Sequence, residues 1–401
     1  MTHDIVLVGA ARTPMCEYVG TPGYGKLAKL SAIELGAHAA KAAIERAGIE
    51  ADSIDHVVMG NALQTSVDAI YGARHVGLKA GTTQACPALT VNRLCGSGIQ
   101  SLVNGAQMIL LGEATTVLAG GMESMSQAPY AFYGGRSGIP FGTTPELQDT
   151  LFAALMDPMA ELFMAQTAEK VAKTREISRE AQDEYALRSH QLAAAAVADG
   201  RFGEEIAPVV IETRRGELVI DTDDHIKPET SIEALARLRA AFGKDGTVTA
   251  GNASGIVDGA AAVVMTTAER AQAEGLEVMS IIRGWSYVGV DPTEMGIGPV
   301  PAIRACLEKA GVAQGDVDLF EINEAFAAQY LGCEKELGLD RDKCNVNGGA
   351  IGLGHPLGAT GTRLVQTVSM ELRRSGKRYG VASACIGGGQ GIAMLVENPS
   401  A

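Results

Sequence analysis

Ile44-Glu45-Arg46-Ala47-Gly48-Ile49, with Ile54-Asp55-His56-Val57-Val58 behind it, returns 263 residues later as Leu307-Glu308-Lys309-Ala310-Gly311-Val312 and Val317-Asp318-Leu319-Phe320-Glu321. The same offset carries Ser97-Gly98 onto Thr360-Gly361. Two generic helices that both end in Ala-Gly would not share a register at a second, distant place, so the chain reads as a duplication. Each copy alternates strand and helix patterns, which predicts an α/β fold of parallel sheets flanked by helices. The helix before Gly48 opens on a capping box, Ser31-Ala32-Ile33-Glu34, and stops where glycine can take the left-handed C′ position.

Between the copies, residues 122–250 leave this pattern. They hold a Pro/Gly/Ser-rich stretch from Met125 to Thr144, three methionines (Met156, Met159, Met164) and a helical run from about Ser178 to Gly200. The expected organisation is a first half of residues 1–121 plus 251–275, an inserted loop domain of residues 122–250 lying over a site, and a second half of residues 276–401.

Outward from the repeat, the bulk numbers narrow the function. The chain has 401 residues, is 46% hydrophobic and 20% charged, and carries a formal net charge of -14 with only 4% aromatics. A basic patch interleaved with stacking aromatics is missing from the sequence, which argues against a nucleic-acid partner. No apolar run is long and charge-free enough to span a membrane, and neither end carries a targeting pattern. The seven cysteines (16, 86, 95, 306, 333, 344, 385) are odd in number and lack paired spacing. Reduced thiols and a cytoplasmic location follow as expectations.

Three reactive side chains stand in glycine-rich loops: Cys95 in Asn92-Arg93-Leu94-Cys95-Gly96-Ser97-Gly98, His355 in Gly352-Leu353-Gly354-His355-Pro356-Leu357-Gly358, and Cys385 in Ala384-Cys385-Ile386-Gly387-Gly388-Gly389-Gln390-Gly391. Glycine lets the backbone turn sharply and approach a ligand closely, so this setting suits thiol chemistry with a base better than packing. Helical spacing after Gly98 puts Cys95 at a helix N-terminus, where free N–H groups are expected to lower its pKa. Cys385 ends an apolar strand, where open α/β sheets hold their ligands. The six other histidines (3, 38, 56, 75, 190, 225) lack such surroundings and are expected to be surface or capping residues. No Cys-x-x-Cys or His-x-x-x-His spacing supports a metal site, so none is expected.

Together with Gly251-Asn252-Ala253-Ser254-Gly255 and Asn323-Glu324-Ala325-Phe326-Ala327, these loops make five motifs in order, and over essentially its whole length the chain resembles the thiolases, of the biosynthetic acetyl-CoA acetyltransferase type. The resemblance implies duplicated αβαβα halves with an inserted loop domain, and a reversible ping-pong condensation of two acetyl-CoA to acetoacetyl-CoA and CoA. It makes Cys95 the acyl-carrying nucleophile, His355 its base and Cys385 the base for carbon–carbon chemistry. One oxyanion hole falls to His355 with a water held by Asn323, the other to the N–H groups of Cys95 and Gly387. It assigns coenzyme A contacts to Ala250 and Ser254, tunnel walls to Met164, Phe242, Met295, Ala325 and Phe326, and a place near the nucleotide to Lys227. It implies no cofactor beyond the coenzyme A thioesters, which are substrates, and a homodimer or homotetramer.

Phe163-Met164-Ala165 stands where related enzymes often carry His-Met-Gly, which leaves a 3-ketoacyl-CoA thiolase of different chain specificity as the alternative. A decarboxylating condensing enzyme would carry His in place of Cys385. A thiolase-fold acyl-CoA or lipid binder would have lost one of Cys95, Asn323, His355 and Cys385, and all four are present.

Overall fold

A computed structural model describes residues 4–19, 25–214, 216–243 and 245–401. The strands that matter for the site are β1 (Ile5–Arg12), β2 (His56–Gly60), β3 (Ala88–Val91), β4 (Thr116–Glu123), β5 (Val257–Thr267), β6 (Ser280–Gly289), β7 (Leu319–Ile322), β8 (Tyr379–Ile386) and β9 (Gln390–Glu397). The helices are α1 (Ala32–Ala47), α2 (Gly72–Ala80), α3 (Ser97–Leu110), α4 (Met164–Thr174), α5 (Arg179–Ala198), α6 (Pro299–Ala310), α7 (Ala327–Leu337) and α8 (Leu357–Ser375). The capping box on α1 forms as the sequence predicts, with Ser31 and Glu34 satisfying each other's backbone N–H and Gly48 in the left-handed region.

The nine strands lie in one sheet in the order β7-β8-β9-β6-β1-β5-β4-β2-β3, and the short strand Cys16–Glu17 pairs beside β5 off this path. Apart from β3 the order is a palindrome. The offset of 263 residues maps β2 onto β7 and β4 onto β8, and it also carries the one-turn helix Ala51–Ser53 onto Gln314–Asp316. β6 and β9 take the places of β1 and β5.

Three cores separate five layers. One lies between α1, α2 and the outer face of the first half-sheet, with Leu35, Ala40, Leu118 and Val264. The second wraps α3 and α8 between both half-sheets, with Leu102, Val103, Leu364, Val365, Ala384 and Met394. The third lies under α6 and α7, with Ile303, Cys306, Tyr330 and Leu395. At the middle, α3 and α8 touch through the two repeat-related glycines. A Cβ on Gly98 would sit 2.4 Å from Thr362 N, and one on Gly361 would sit 2.3 Å from Ile99 N. Only glycine permits so close a crossing.

The expectation of parallel sheets is corrected. Only β2–β3, β2–β4 and β7–β8 pair parallel, and every other pair on the path is antiparallel. A parallel pair needs a crossover, whereas β8 turns directly into β9 through Gly387-Gly388-Gly389. The last two of these take φ of 77° and 79°, a conformation that favours glycine. β5 re-enters beside β4 after the long excursion of residues 124–256, and it too runs antiparallel. Among the described residues no helix is long and apolar enough to cross a membrane.

Candidate active site

Each reactive side chain sits where a regular element ends. Cys95 lies in a single 3-10 turn, Leu94–Gly96, directly before α3. Leu94 takes a left-handed φ of 47°, a strained state for a branched residue. Local bonds hold it there: Leu94 N–H donates to Asn92 Oδ1, Arg93 N–H donates to Ser97 Oγ, and Ser97 Oγ–H donates to Leu94 O. This elbow lifts Cys95 towards the β8–β9 turn. There Leu94 reaches Gly387, and Gly96 packs against Ile386, the residue after Cys385.

Asn323 directly follows β7 and continues its pairing through Asn323 N–H to Ser383 O at 2.9 Å. His355 lies in the loop before α8, positioned by its N–H to Gly255 O at 2.9 Å. Its Nδ1 is 2.7 Å from Thr360 Oγ1, whose own proton goes to Pro356 O. Thr360 must therefore accept from Nδ1–H, which leaves Nε2 as the unprotonated nitrogen. Asn323 Nδ2 donates to that Nε2 at 3.3 Å, and Asn323 Oδ1, buried, has no protein partner. A neutral imidazole with a free Nε2 is a base in waiting.

Burial and the neighbouring Arg363 lower the His355 pKa to about 3, so the ring stays neutral. Burial raises Cys95 to about 11, with the N–H groups of Gly387 and Cys95 itself opposing the rise. This corrects the expected lowering by the helix start: desolvation outweighs the backbone donors. Cys385, fully buried, is pushed well above the ordinary thiol range by burial, then by Cys95 and Cys333. A thiolate on Cys95 therefore opposes ionisation of Cys385. At neutral pH the resting site thus holds two thiols and a neutral imidazole.

Buried carboxylates brace the loops. Glu123, at the end of β4, accepts from Asn61 Nδ2 and from the N–H groups of Ala62, Leu63 and Gly358. Glu324 accepts from Tyr185 Oη, Ser189 Oγ, Asn345 Nδ2 and Ile351 N–H, which ties α5 to the His355 loop. The 249–255 turn is stitched to the 323–327 segment by Ser254 N–H to Ala325 O and Ala327 N–H to Asn252 O.

Above these groups lies a groove of about 530 Å³ that reaches His355. Of the residues expected to contact coenzyme A, it brings together Met164, Phe242, Ala250, Ser254 and Phe326. Met295 and Ala325 pack instead around Cys385, beside Met164 and Phe326. Cys95 packs below the groove with Met125 and Leu357. Lys227 does not line the groove; its ammonium is held 2.7 Å from Glu17, which does. Of the methionines in the 122–250 stretch, Met125 and Met164 line the groove, while Met156 and Met159 are exposed.

Two features escaped the sequence reading. His225, expected at the surface, lines the groove with Nδ1 2.6 Å from Glu17, and His190 beside it is buried. Their signal would have been Glu17, but it is 208 residues from His225. His3 lies outside the described residues. The second feature is an aromatic wall: Phe163 packs against Phe152 and Phe242 at ring distances of 4.7 and 5.3 Å. Among the described residues, no group of three or more His, Cys, Asp and Glu could hold a metal ion.

Two descriptions of one protein family match the chain. Residues 5–269 match the family description "Thiolase, N-terminal domain", and residues 276–398 match "Thiolase, C-terminal domain". Human mitochondrial 3-ketoacyl-CoA thiolase is 49% identical over 99% of both chains. The acetyl-CoA acetyltransferase of Chromobacterium violaceum is 46% identical over 99% of this chain and 100% of its own. The crystal structure of the human mitochondrial enzyme in complex with CoA superimposes with a TM-score of 0.94 at 49% identity, covering 99% of this chain and 98% of that one.

Proposed function

The chain belongs to the thiolase family, an acyltransferase family acting on coenzyme A thioesters, and from that premise we propose that it condenses two acetyl-CoA to acetoacetyl-CoA and runs the reverse thiolysis. The observation that carries this reading is the packing of Gly96, the residue after Cys95, against Ile386, the residue after Cys385. It supports two thiols that share one reaction centre.

In the first half-reaction His355 Nε2 takes the Cys95 proton and the sulfur attacks the thioester carbonyl carbon. The carbon–sulfur bond to coenzyme A breaks, and the departing thiolate takes the proton from His355. In the second, Cys385 passes its proton to His355 Nε2, which later returns it to Cys95, and the Cys385 thiolate takes a proton from the methyl carbon of a second acetyl-CoA. The resulting enolate attacks the acetyl-Cys95 carbonyl; a carbon–carbon bond forms, the bond to Cys95 breaks, and Cys95 is reprotonated. Developing oxyanions meet the N–H groups of Cys95 and Gly387 in one step and protonated His355 with a water on Asn323 in the other. Donors aimed at a developing oxyanion commonly lower the barrier more than any other single feature of such a site.

One observation favours a second reading. The wall of Phe152, Phe163 and Phe242 is apolar, and Met164, next to Phe163, lies against Gly387. An apolar wall beside the reacting end suits 3-ketoacyl-CoA with a chain longer than acetoacetyl.

We also infer self-association into a dimer or tetramer. Among the described residues strand β3 is an edge of the sheet, with Leu89 exposed and Ile70 and Tyr71 exposed nearby. Sedimentation at a single monomer mass would contradict this.

CoA-dependent loss of acetoacetyl-CoA, followed by absorbance with Cys95→Ala as blank, tests the activity. Running a medium-length straight-chain 3-ketoacyl-CoA beside it separates the two readings by their kcat/KM. Loss of neither substrate by the folded enzyme would sink both.

A further inference from the structure

We propose that Arg93 is a positioning residue that locks the Cys95 elbow to the β8–β9 hairpin, so that the Gly387 N–H stays aimed at Cys95. The two loops come from opposite halves of the chain. Among the described residues, one side-chain hydrogen bond joins them: Arg93 Nη1 to Gln390 Oε1, 2.8 Å, across 297 residues of sequence.

The guanidinium is fixed on three sides. Nε donates to Gln100 Oε1 on α3 at 2.7 Å, Nη1 donates to Gln390, and the plane lies 4.7 Å from the ring centre of Tyr287 on β6. A planar fork with several donors can hold two acceptors and stack on a ring at once, which a lysine ammonium cannot. Gln390 closes the glycine turn, pairing with Ile386 on one side and Gly289 on the other. The turn it closes has two residues at positive φ, and Val290 N–H donates to Gly389 O at 2.7 Å. Arg93 also precedes Leu94, whose left-handed φ persists only if its surroundings fix it. One side chain therefore ties the strained elbow to the hairpin, beside the packing of Leu94 and Gly96 against Gly387 and Ile386.

This inference rests on the proposed roles of Cys95 and Gly387, and two readouts keep the failures apart. Expected for Arg93→Met is a fall in kcat of about 10- to 100-fold, less than deleting an oxyanion donor outright, with KM for the thioester within about twofold. The pH profile of Cys95 alkylation by iodoacetamide should move to higher pH, because the thiolate loses a donor. Arg93→Lys should fall between, keeping one bond. Gln390→Leu, which leaves Arg93 on Gln100 and Tyr287, should reproduce the Met variant and serves as the test if Arg93→Met does not fold. Wild-type kcat and an unmoved alkylation profile in Gln390→Leu would overturn the proposal. So would a rise in KM alone, which would make Arg93 a substrate contact. A wild-type enzyme that turns over no thioester would fail the functional reading, and the alkylation profiles would still judge Arg93.

Discussion

The two halves share a scaffold and divide the chemistry unevenly. At the strand ends of the C-terminal half stand Asn323, Cys385 and, in the loop before α8, His355. The same positions of the N-terminal half hold Gly60, Met122 and Asn92. The exchange is reversed at one place, where Cys95 of the first half answers to Gly358 of the second. Gly358 presses so close on the N-terminal half that an added Cβ would lie 2.6 Å from Met122 O and 2.8 Å from Gly60 O. By the same offset the repeat-related partners of Cys95 are Cys385 and Asn323, and Gly96 and Ile386, the residues after the two cysteines, pack together. The duplication thus builds two facing sets of strand ends; one is filled by a bare glycine, and the other is furnished with two thiols, an amide and an imidazole. The scaffold supplies the geometry, and in the proposed function the residues set on it supply the chemistry.

The sharpest way to break this comparison is to make the second half resemble the first. His355→Asn copies Asn92 across the repeat and should cost on the order of 10²–10⁴ in kcat/KM, the range for losing a general base. Asn92→Ala should cost far less; equal losses would mean that the asymmetry is not functional.

Next in size is the crossing at the centre, where the halves are alike. Gly98→Ala and Gly361→Ala each push a Cβ to about the same distance from the opposite backbone. Each should destabilise by about 3 kcal/mol or more, the upper range for overpacking, and by similar amounts in urea unfolding. One tolerant and one intolerant site would deny the local twofold.

A smaller effect follows from charge. The His355 pKa is lowered to about 3, whereas an unfolded chain would protonate it near 6.5. Above that value the two states bind the same number of protons, and nothing is lost. As pH falls from about 6.5 towards 3, the unfolded state gains a proton that the native state refuses, so stability declines. Between pH 7 and 5 this is about 2 kcal/mol, and His355→Asn, which cannot titrate, should lose correspondingly less over the same interval. The smallest effect belongs to Lys227→Ala. Its ammonium is exposed and already held by Glu17, so KM should change by less than about threefold.

Much of this was legible in one dimension because it is local. The constant register, the capping box at Ser31 and the glycine settings of Cys95, His355 and Cys385 each lie within a short window. Strand direction was not legible, since the step from β4 to β5 crosses the whole 124–256 excursion. Neither was the groove-facing His225, which is defined by Glu17 at the other end of the first half, nor the Arg93–Gln390 bridge. The direction of the Cys95 pKa shift was hidden for a different reason: the helix start is visible in sequence, while the desolvation that outweighs it belongs to the packed site.

The central claim is that thiols from the two halves divide one reaction. It is tested most directly by mass spectrometry of wild type and Cys385→Ala after exposure to acetyl-CoA, with acetoacetyl-CoA measured in the same samples. The account predicts one acetyl group on Cys95 in both proteins and acetoacetyl-CoA from the wild type alone. Unmodified Cys95, or condensation by Cys385→Ala at the wild-type rate, would contradict it.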